Sequence, residues 1–222
     1  MEVTSLTSTV VEALREKIII GELKPGYKLN EVDISMNLGV SRPPLREAFR
    51  ILEKDNMAVS VPRKGTYVSE LSLKDFMEVS QTREMIECYC VDLLKDFDIR
   101  CLPKSESALE KAAALQSSLN REDEAELLLL IRVMHEFHVG LVEATGNSML
   151  SRIYGSIGYT LARYQHIYFH IDDAARHSLD DHQRVLEFLH EGSFDRAKDE
   201  LRKHILFTVD LVKNRIIHRA VF

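Results

Sequence analysis

Residues 29–68, LNEVDISMNLGVSRPPLREAFRILEKDNMAVSVPRKGTYV, decide the fold. Asn30 followed by Glu31 and Asp33 reads as a helix start: the Asn30 side chain can accept from orphan backbone N–H groups, and the two acids suit the positive end of a helix. Gly39 stops that helix. A second one opens at Ser41, where Leu45, Ala48, Phe49 and Leu52 keep the i, i+3, i+4, i+7 spacing of a single buried face. Beside that face Arg42, Arg46 and Arg50 recur every four residues, a basic stripe that a core cannot use and a phosphate backbone can. Pro43 and Pro44 fall in the first turn, where proline is tolerated, and with no N–H to offer they leave the Ser41 hydroxyl free to face DNA. Val59-Ser60-Val61 and Thr66-Tyr67-Val68 then alternate like hairpin strands about a basic turn, Pro62-Arg63-Lys64-Gly65. Two helices across a short Gly-containing turn, followed by a hairpin, make a winged helix-turn-helix.

Working outward, Val10, Val11, Leu14 and Ile18 sit at helical spacing within residues 7–20, a support helix ended by Gly21. Pro25-Gly26 predicts a tight turn, and Tyr27 to Leu29 a short strand pairing with the wing. The net charge of −6 looks wrong for a DNA binder until it is divided along the chain. Residues 1–71 carry 10 basic and 10 acidic side chains, so 19 and 25 remain for residues 72–222, and the acidic excess lies wholly in the second part. Between Arg42 and Lys64 six basic residues face three acids, a local positive field.

Ser72 with Asp75 predicts the start of a long helix towards Phe97 and marks the boundary between a domain of residues 1–71 and one of residues 72–222. The apolar stripe Phe76, Val79, Ile86, Cys90, Leu93, Phe97 is interrupted by Arg83, which either pairs with a core acid such as Glu87 or meets an anionic ligand inside the bundle. Further helices are expected over residues 105–119, from the acidic turn at Glu122 to Glu126 up to Gly146-Asn147, and over residues 149–170 with Leu150, Ile153, Ile157, Leu161 and Tyr164 inward. Ser178 with Asp181 and then Ser193 are read as the starts of the last two helices, with Gly192 as the turn between them. The fold class is therefore mainly α, a winged helix-turn-helix with a small β-wing followed by an all-α bundle.

Of nine histidines, His138, His182 and His204 fall on core-facing positions. If the last two helices run antiparallel about Gly192, His182 and His204 differ in level by only about 3 Å at 1.5 Å per residue, so they can meet. A lone core histidine is usually a hydrogen-bonded one, whereas three converging in one interior suggest a divalent metal. His135, His166, His170, His177, His190 and His218 read as surface or structural. His166 and His170 have chelating i, i+4 spacing, but no acid is read as a third ligand beside them. Cys88, Cys90 and Cys101 form neither an even disulfide set nor a paired CxxC pattern, so they are expected to be reduced.

Gly21-Glu22-Leu23-Lys24-Pro25-Gly26, Leu38-Gly39-Val40-Ser41-Arg42, Arg46-Glu47-Ala48 and the Arg63-Lys64-Gly65 wing resemble, in order and spacing, the GntR family of bacterial transcription regulators. Phe137-His138, Ala144-Thr145-Gly146-Asn147, His182 and the run from Gly192 to His204 resemble the FCD effector domain of its FadR subfamily. The resemblance implies an all-helical bundle holding a metal through three histidines and an aspartate. The aspartate's position, four residues before the first histidine, is Met134 here, and this departure removes a charge and an oxygen ligand. Val32 also stands where the family often has a basic residue.

The expected protein is a ligand-responsive transcription factor, a repressor and homodimer on double-stranded operator DNA, since a two-fold protein reading two half-sites gains specificity and avidity. Ser41, Arg42, Pro43, Arg46 and Arg50 of the recognition helix and Arg63, Lys64 and Gly65 of the wing are its candidate DNA contacts. His138, His182 and His204 are candidate ligands for zinc or nickel, and Arg83 for a small organic acid. With no membrane-length apolar run and no signal peptide, a cytoplasmic location is expected. Two alternatives remain: a metal-dependent enzyme using the three histidines, against which no general base is placed beside them by any motif, and a DNA binder without effector.

Overall fold

The computed structural model describes residues 6–170 and 174–219, with side chains as far as 214; the side chain of His218 thus lies outside the described residues. The described residues divide into two compact units, one ending at Ser72 and one beginning at Leu73.

In the first unit α1 (Leu6–Ile19), α2 (Glu31–Leu38) and α3 (Arg42–Lys54) precede β1 (Ala58–Val61) and β2 (Gly65–Val68). Asn30 caps α2 by accepting from the Val32 amide at 2.9 Å. Gly39 ends it at φ 64, a left-handed conformation that returns its amide to the Ser35 and Met36 carbonyls and that side chains with a Cβ resist. α3 begins after Ser41, whose side chain makes no capping bond, and buries Leu45, Ala48, Phe49 and Leu52. With Leu14, Met57 and Val68 they form the buried core of the unit. The strands pair antiparallel with Val59 opposite Tyr67. Residues 26–29 add the expected third edge: the Leu29 amide donates to the Thr66 carbonyl at 2.9 Å and Lys28 bridges to Tyr67.

The second unit is an all-helical bundle of α4 (Leu73–Asp96), α5 (Pro103–Gln116), α6 (Glu124–Ala144), α7 (Ser148–Phe169), α8 (Ala174–His190) and α9 (Phe194–Arg219). α4 packs on α6, α7 and α9, α5 on α6 and α8, and α8 on α9. Asp123 and Asn147 cap α6 and α7 through their side-chain oxygens, and Gly192 turns α8 into α9 at φ 74. Ion pairs Glu84–Arg202 and Asp92–Lys198 line the α4–α9 seam.

Three expectations need correction. Phe97 is 68% exposed, because the buried stripe of α4 drifts to Leu94 in its last turn instead of reaching Leu93 and Phe97. Ile153 is 44% exposed while Tyr154 is buried; the inward line of α7 is Tyr154, Gly158, Leu161, Gln165 and Tyr168, stepping by four and three. α8 starts at Ala174, not at Ser178, so Asp181 is a buried residue within the helix and no part of a capping pair.

α5 and α6 approach so closely that a Cβ on Gly140 would lie 2.7 Å from the Ser105 backbone nitrogen, beside the Ser105 hydroxyl that donates to the Phe137 carbonyl at 2.7 Å. Gly155, by contrast, has nothing within 4 Å of where its Cβ would be. Gly140→Ala is therefore expected to destabilise the protein by about 1–3 kcal/mol through overpacking. Gly155→Ala should stabilise it by roughly 0.5–1 kcal/mol through helix propensity. Denaturant midpoints of the two variants check both signs.

Candidate nucleic-acid interface and candidate metal centre

In the first unit the buried stripe of α3 leaves Ser41, Arg42, Pro43, Arg46 and Arg50 exposed on the remaining face. Arg46 is held by Glu31 of α2, its Nε lying 3.0 and 2.9 Å from the two carboxylate oxygens, and Arg50 pairs with Glu47 at 3.3 Å. These pairs are exposed, so they are worth little in water and exchange easily for another anion. At the wing tip Arg63 takes φ 64 and Gly65 φ 113, while the Tyr67 hydroxyl donates to the Lys64 carbonyl at 3.2 Å; Arg63, Lys64 and Gly65 all face solvent.

In the second unit His138 of α6, His182 of α8 and His204 of α9 are each 1% exposed and meet. His182 Nε2 lies 3.3 Å from His204 Nε2, and the His138 ring centre is 4.5 Å from that of His182 and 5.5 Å from that of His204. Arg83 of α4 reaches the same place. Its Nη2 is 2.6 Å from His138 Nε2 and 3.3 Å from His204 Nε2, while its Nε donates to Glu87 Oε1 at 2.7 Å. The reading of Arg83 as the partner of a core acid, Glu87, thus has a geometric basis, and the guanidinium also faces the histidines.

Two carboxylates orient the rings. His138 Nδ1 faces Glu87 Oε2 at 2.9 Å and His204 Nδ1 faces Asp181 Oδ2 at 3.2 Å, so both rings carry their proton on Nδ1 and turn a lone pair on Nε2 towards the centre. Tyr154 donates to Glu87 Oε1 at 2.6 Å, completing that carboxylate. His182 Nδ1 is buried with no hydrogen-bond partner. Burial, reinforced by the Arg83 charge, pushes the His138 pKa down, and burial also lowers those of His182 and His204, so the site favours the neutral form of all three. Burial opposes the charge on Glu87, yet Arg83, His138 and Tyr154 outweigh it and hold the carboxyl well below its usual range.

Neutral imidazoles with carboxylates on their far nitrogens are the arrangement that metal-ligating histidines need, since the outer partner fixes the tautomer and raises basicity. An N···N separation near 3.3 Å also suits two ligands about 2.0–2.1 Å from one tetrahedral ion. The three imidazoles match the donor set of a divalent, nitrogen-preferring ion, which would have to take from Arg83 the Nε2 lone pairs of His138 and His204. Met134, one turn before His138, is 1% exposed and offers no oxygen.

Sequence reasoning missed Asp181, although its adjacency to His182 was a signal, because it was assigned to a helix start. It also missed Glu124, which comes from a distant point in the chain to face His166 at 2.7 Å and His170 at 3.8 Å. His135 is structural, stacked on Tyr154 with ring centres 5.8 Å apart.

The lowered histidine pKa values fix a sign. Near pH 6.5 and below, the unfolded chain takes up protons that the buried rings refuse, so stability present above that pH is lost as the pH falls. Denaturant titrations of chelator-treated protein should show the bundle losing stability from pH 7.5 to pH 5.0, with a smaller loss in His182→Gln.

Comparison with known proteins agrees with both units. Residues 6–68 match the model for bacterial regulatory proteins of the gntR family, and residues 78–207 match the FCD domain. The chain is 28% identical over 196 residues to the uncharacterized HTH-type transcriptional regulator YdhC of Bacillus subtilis (strain 168), covering 86% of this chain and 84% of that protein. It is 25% identical over 205 residues to a D-xylose utilization operon transcriptional repressor of Paenarthrobacter nicotinovorans, described as probable, covering 91% of this chain and 86% of that one. A GntR transcriptional regulator from Rhodococcus sp. RHA1, known from its crystal structure, superposes with a TM-score of 0.77 at 26% identity over 95% of this chain and 99% of that one. The family and these relatives are transcriptional regulators and not enzymes. Among the described residues no helix is long and apolar enough to cross a membrane. With a wing and recognition helix at one end and an FCD bundle after it, the chain belongs to the GntR family and is a sequence-specific DNA-binding transcriptional regulator.

Proposed function

We propose that the protein is a homodimeric repressor whose operator affinity is set by a divalent metal and a small carboxylate in the helical unit. Domains of residues 1–71 and 72–222 divide the work between DNA and effector. The observation that carries this reading is the buried meeting of three neutral imidazoles with the guanidinium of Arg83. His138, His182 and His204 would hold zinc or nickel, a Lewis acid able to bind an anion. Their lone pairs serve one cation at a time. When they are otherwise engaged Arg83 keeps Glu87, and its other N–H groups become available to a carboxylate in the place that Met134 leaves without an oxygen.

At the DNA end Ser41, Arg42, Pro43, Arg46 and Arg50 enter the major groove on α3, and Arg63, Lys64 and Gly65 reach the minor groove on the wing. Arg46 must leave Glu31 for a base edge or phosphate, an exchange that the exposure of the pair permits. Dimerisation is supported by Met85 and Tyr89, one turn apart on α4 and 66% and 52% exposed, a place where large apolar side chains gain by being covered. The effector acts only by its differential affinity for two arrangements of the winged domains.

Arg46→Ala is expected to weaken operator binding by about 1–3 kcal/mol with an unchanged melting temperature. Binding isotherms and melts on the same preparation check it: unchanged affinity removes Arg46 from the interface, and a large melting loss makes it structural. Metal analysis of tag-free protein should find zinc or nickel in wild type and a deficit in His182→Ala. Calorimetry with mono-, di- and tricarboxylic acids should show binding to wild type that is lost in Arg83→Ala; equal binding to both would refute the assignment of Arg83.

A further inference from the structure

Three side chains outside the buried centre gather at the junction between the start of α6 and the end of α7. Glu124 opens α6, His166 lies in the last turn of α7, and His170 caps that helix. His166 Nε2 lies 2.7 Å from Glu124 Oε2 and 3.2 Å from His170 Nε2, and His170 Nε2 lies 3.8 Å from Glu124 Oε1. The side chains are 13%, 44% and 33% exposed for His166, Glu124 and His170, so the cluster is ordered by packing yet open to water.

Two imidazole nitrogens and a carboxylate oxygen turned towards one point are a donor set that one cation can share: their ligand atoms all lie within 4.8 Å of one another. The site favours one: the last carbonyls of α7 add partial negative charge beside the histidines, and the i, i+4 spacing puts both rings on one face of the helix.

We propose that Glu124, His166 and His170 form a second divalent-metal site, selective for first-row transition ions such as zinc, nickel or cobalt. Two imidazoles and one carboxylate match that class and not magnesium or calcium, which prefer all-oxygen sets. With three protein ligands the site leaves a coordination position to water or to an exogenous ligand. Occupancy clamps the first turn of α6 to the last turn of α7, the helices that carry His138 and Tyr154 respectively. The assignment does not depend on metal at the buried histidines.

The test is zinc calorimetry with metal analysis on full-length, chelator-treated, tag-free wild type, His182→Ala, His166→Ala and Glu124→Gln. His166→Ala should bind one zinc equivalent fewer than wild type, and Glu124→Gln should hold that equivalent roughly tenfold or more weakly. His182→Ala should keep this equivalent whatever it does to the buried centre, which separates the two sites. Cobalt(II) should give visible ligand-field bands that His166→Ala diminishes. Because the three side chains are partly exposed, the variants should fold, and His170→Ala serves if His166→Ala does not. Zinc stoichiometry and affinity in the folded His166→Ala or His170→Ala variant equal to wild type would overturn the proposal.

Discussion

The helical unit depends on a charge pair taken out of water. Arg83 and Glu87 have side chains 3% and 0% exposed, a placement that costs several kcal/mol per ion unless every donor and acceptor is met. A chain of groups from other helices contributes partners: Tyr154 and His138 complete the carboxylate, and His138 and His204 receive Nη2 of the guanidinium. Satisfying that pair brings α4, α6, α7 and α9 to one point. Removing one partner would leave a buried charge uncompensated, the expensive case, so the network specifies the bundle's register as well as its chemistry.

The same network suits the sensing role proposed for it. Where three imidazoles and two carboxylates share one guanidinium, changing the cation at the centre would change several hydrogen bonds at once. At the DNA end the electrostatics are of the opposite kind: exposed pairs such as Arg46 with Glu31 are cheap to break, which suits a surface that must exchange partners with a polyanion. One chain thus holds a costly, buried charge network in its helical unit and cheap, exposed charge pairs on its recognition helix.

Much of this was legible in the sequence because local rules govern it. The Asn30 cap, the Gly39 stop, the Leu45 to Leu52 face and the basic hairpin follow from backbone capping and periodicity, and all appear in the structure. The meeting of His182 and His204 followed from nearly equal arms about Gly192. What stayed hidden was tertiary. The inward line of α7 runs through Tyr154 and Gly158, residues that hydrophobicity alone does not select over Ile153. Asp181 resembled a capping residue because short acids favour helix starts, yet the helix had already begun at Ala174 and the side chain was needed against His204. Glu124 and His166 are 42 residues apart, and no spacing rule joins them.

The central claim is that the state of the buried histidine and arginine centre sets affinity for operator DNA. It is tested most directly by measuring operator affinity at fixed salt for zinc-loaded and chelator-treated protein, each with and without a saturating carboxylate. The account predicts that the carboxylate shifts affinity in the loaded protein, by a coupling of about 1–3 kcal/mol, and much less in the chelated one. Operator affinity identical in all four conditions would contradict it.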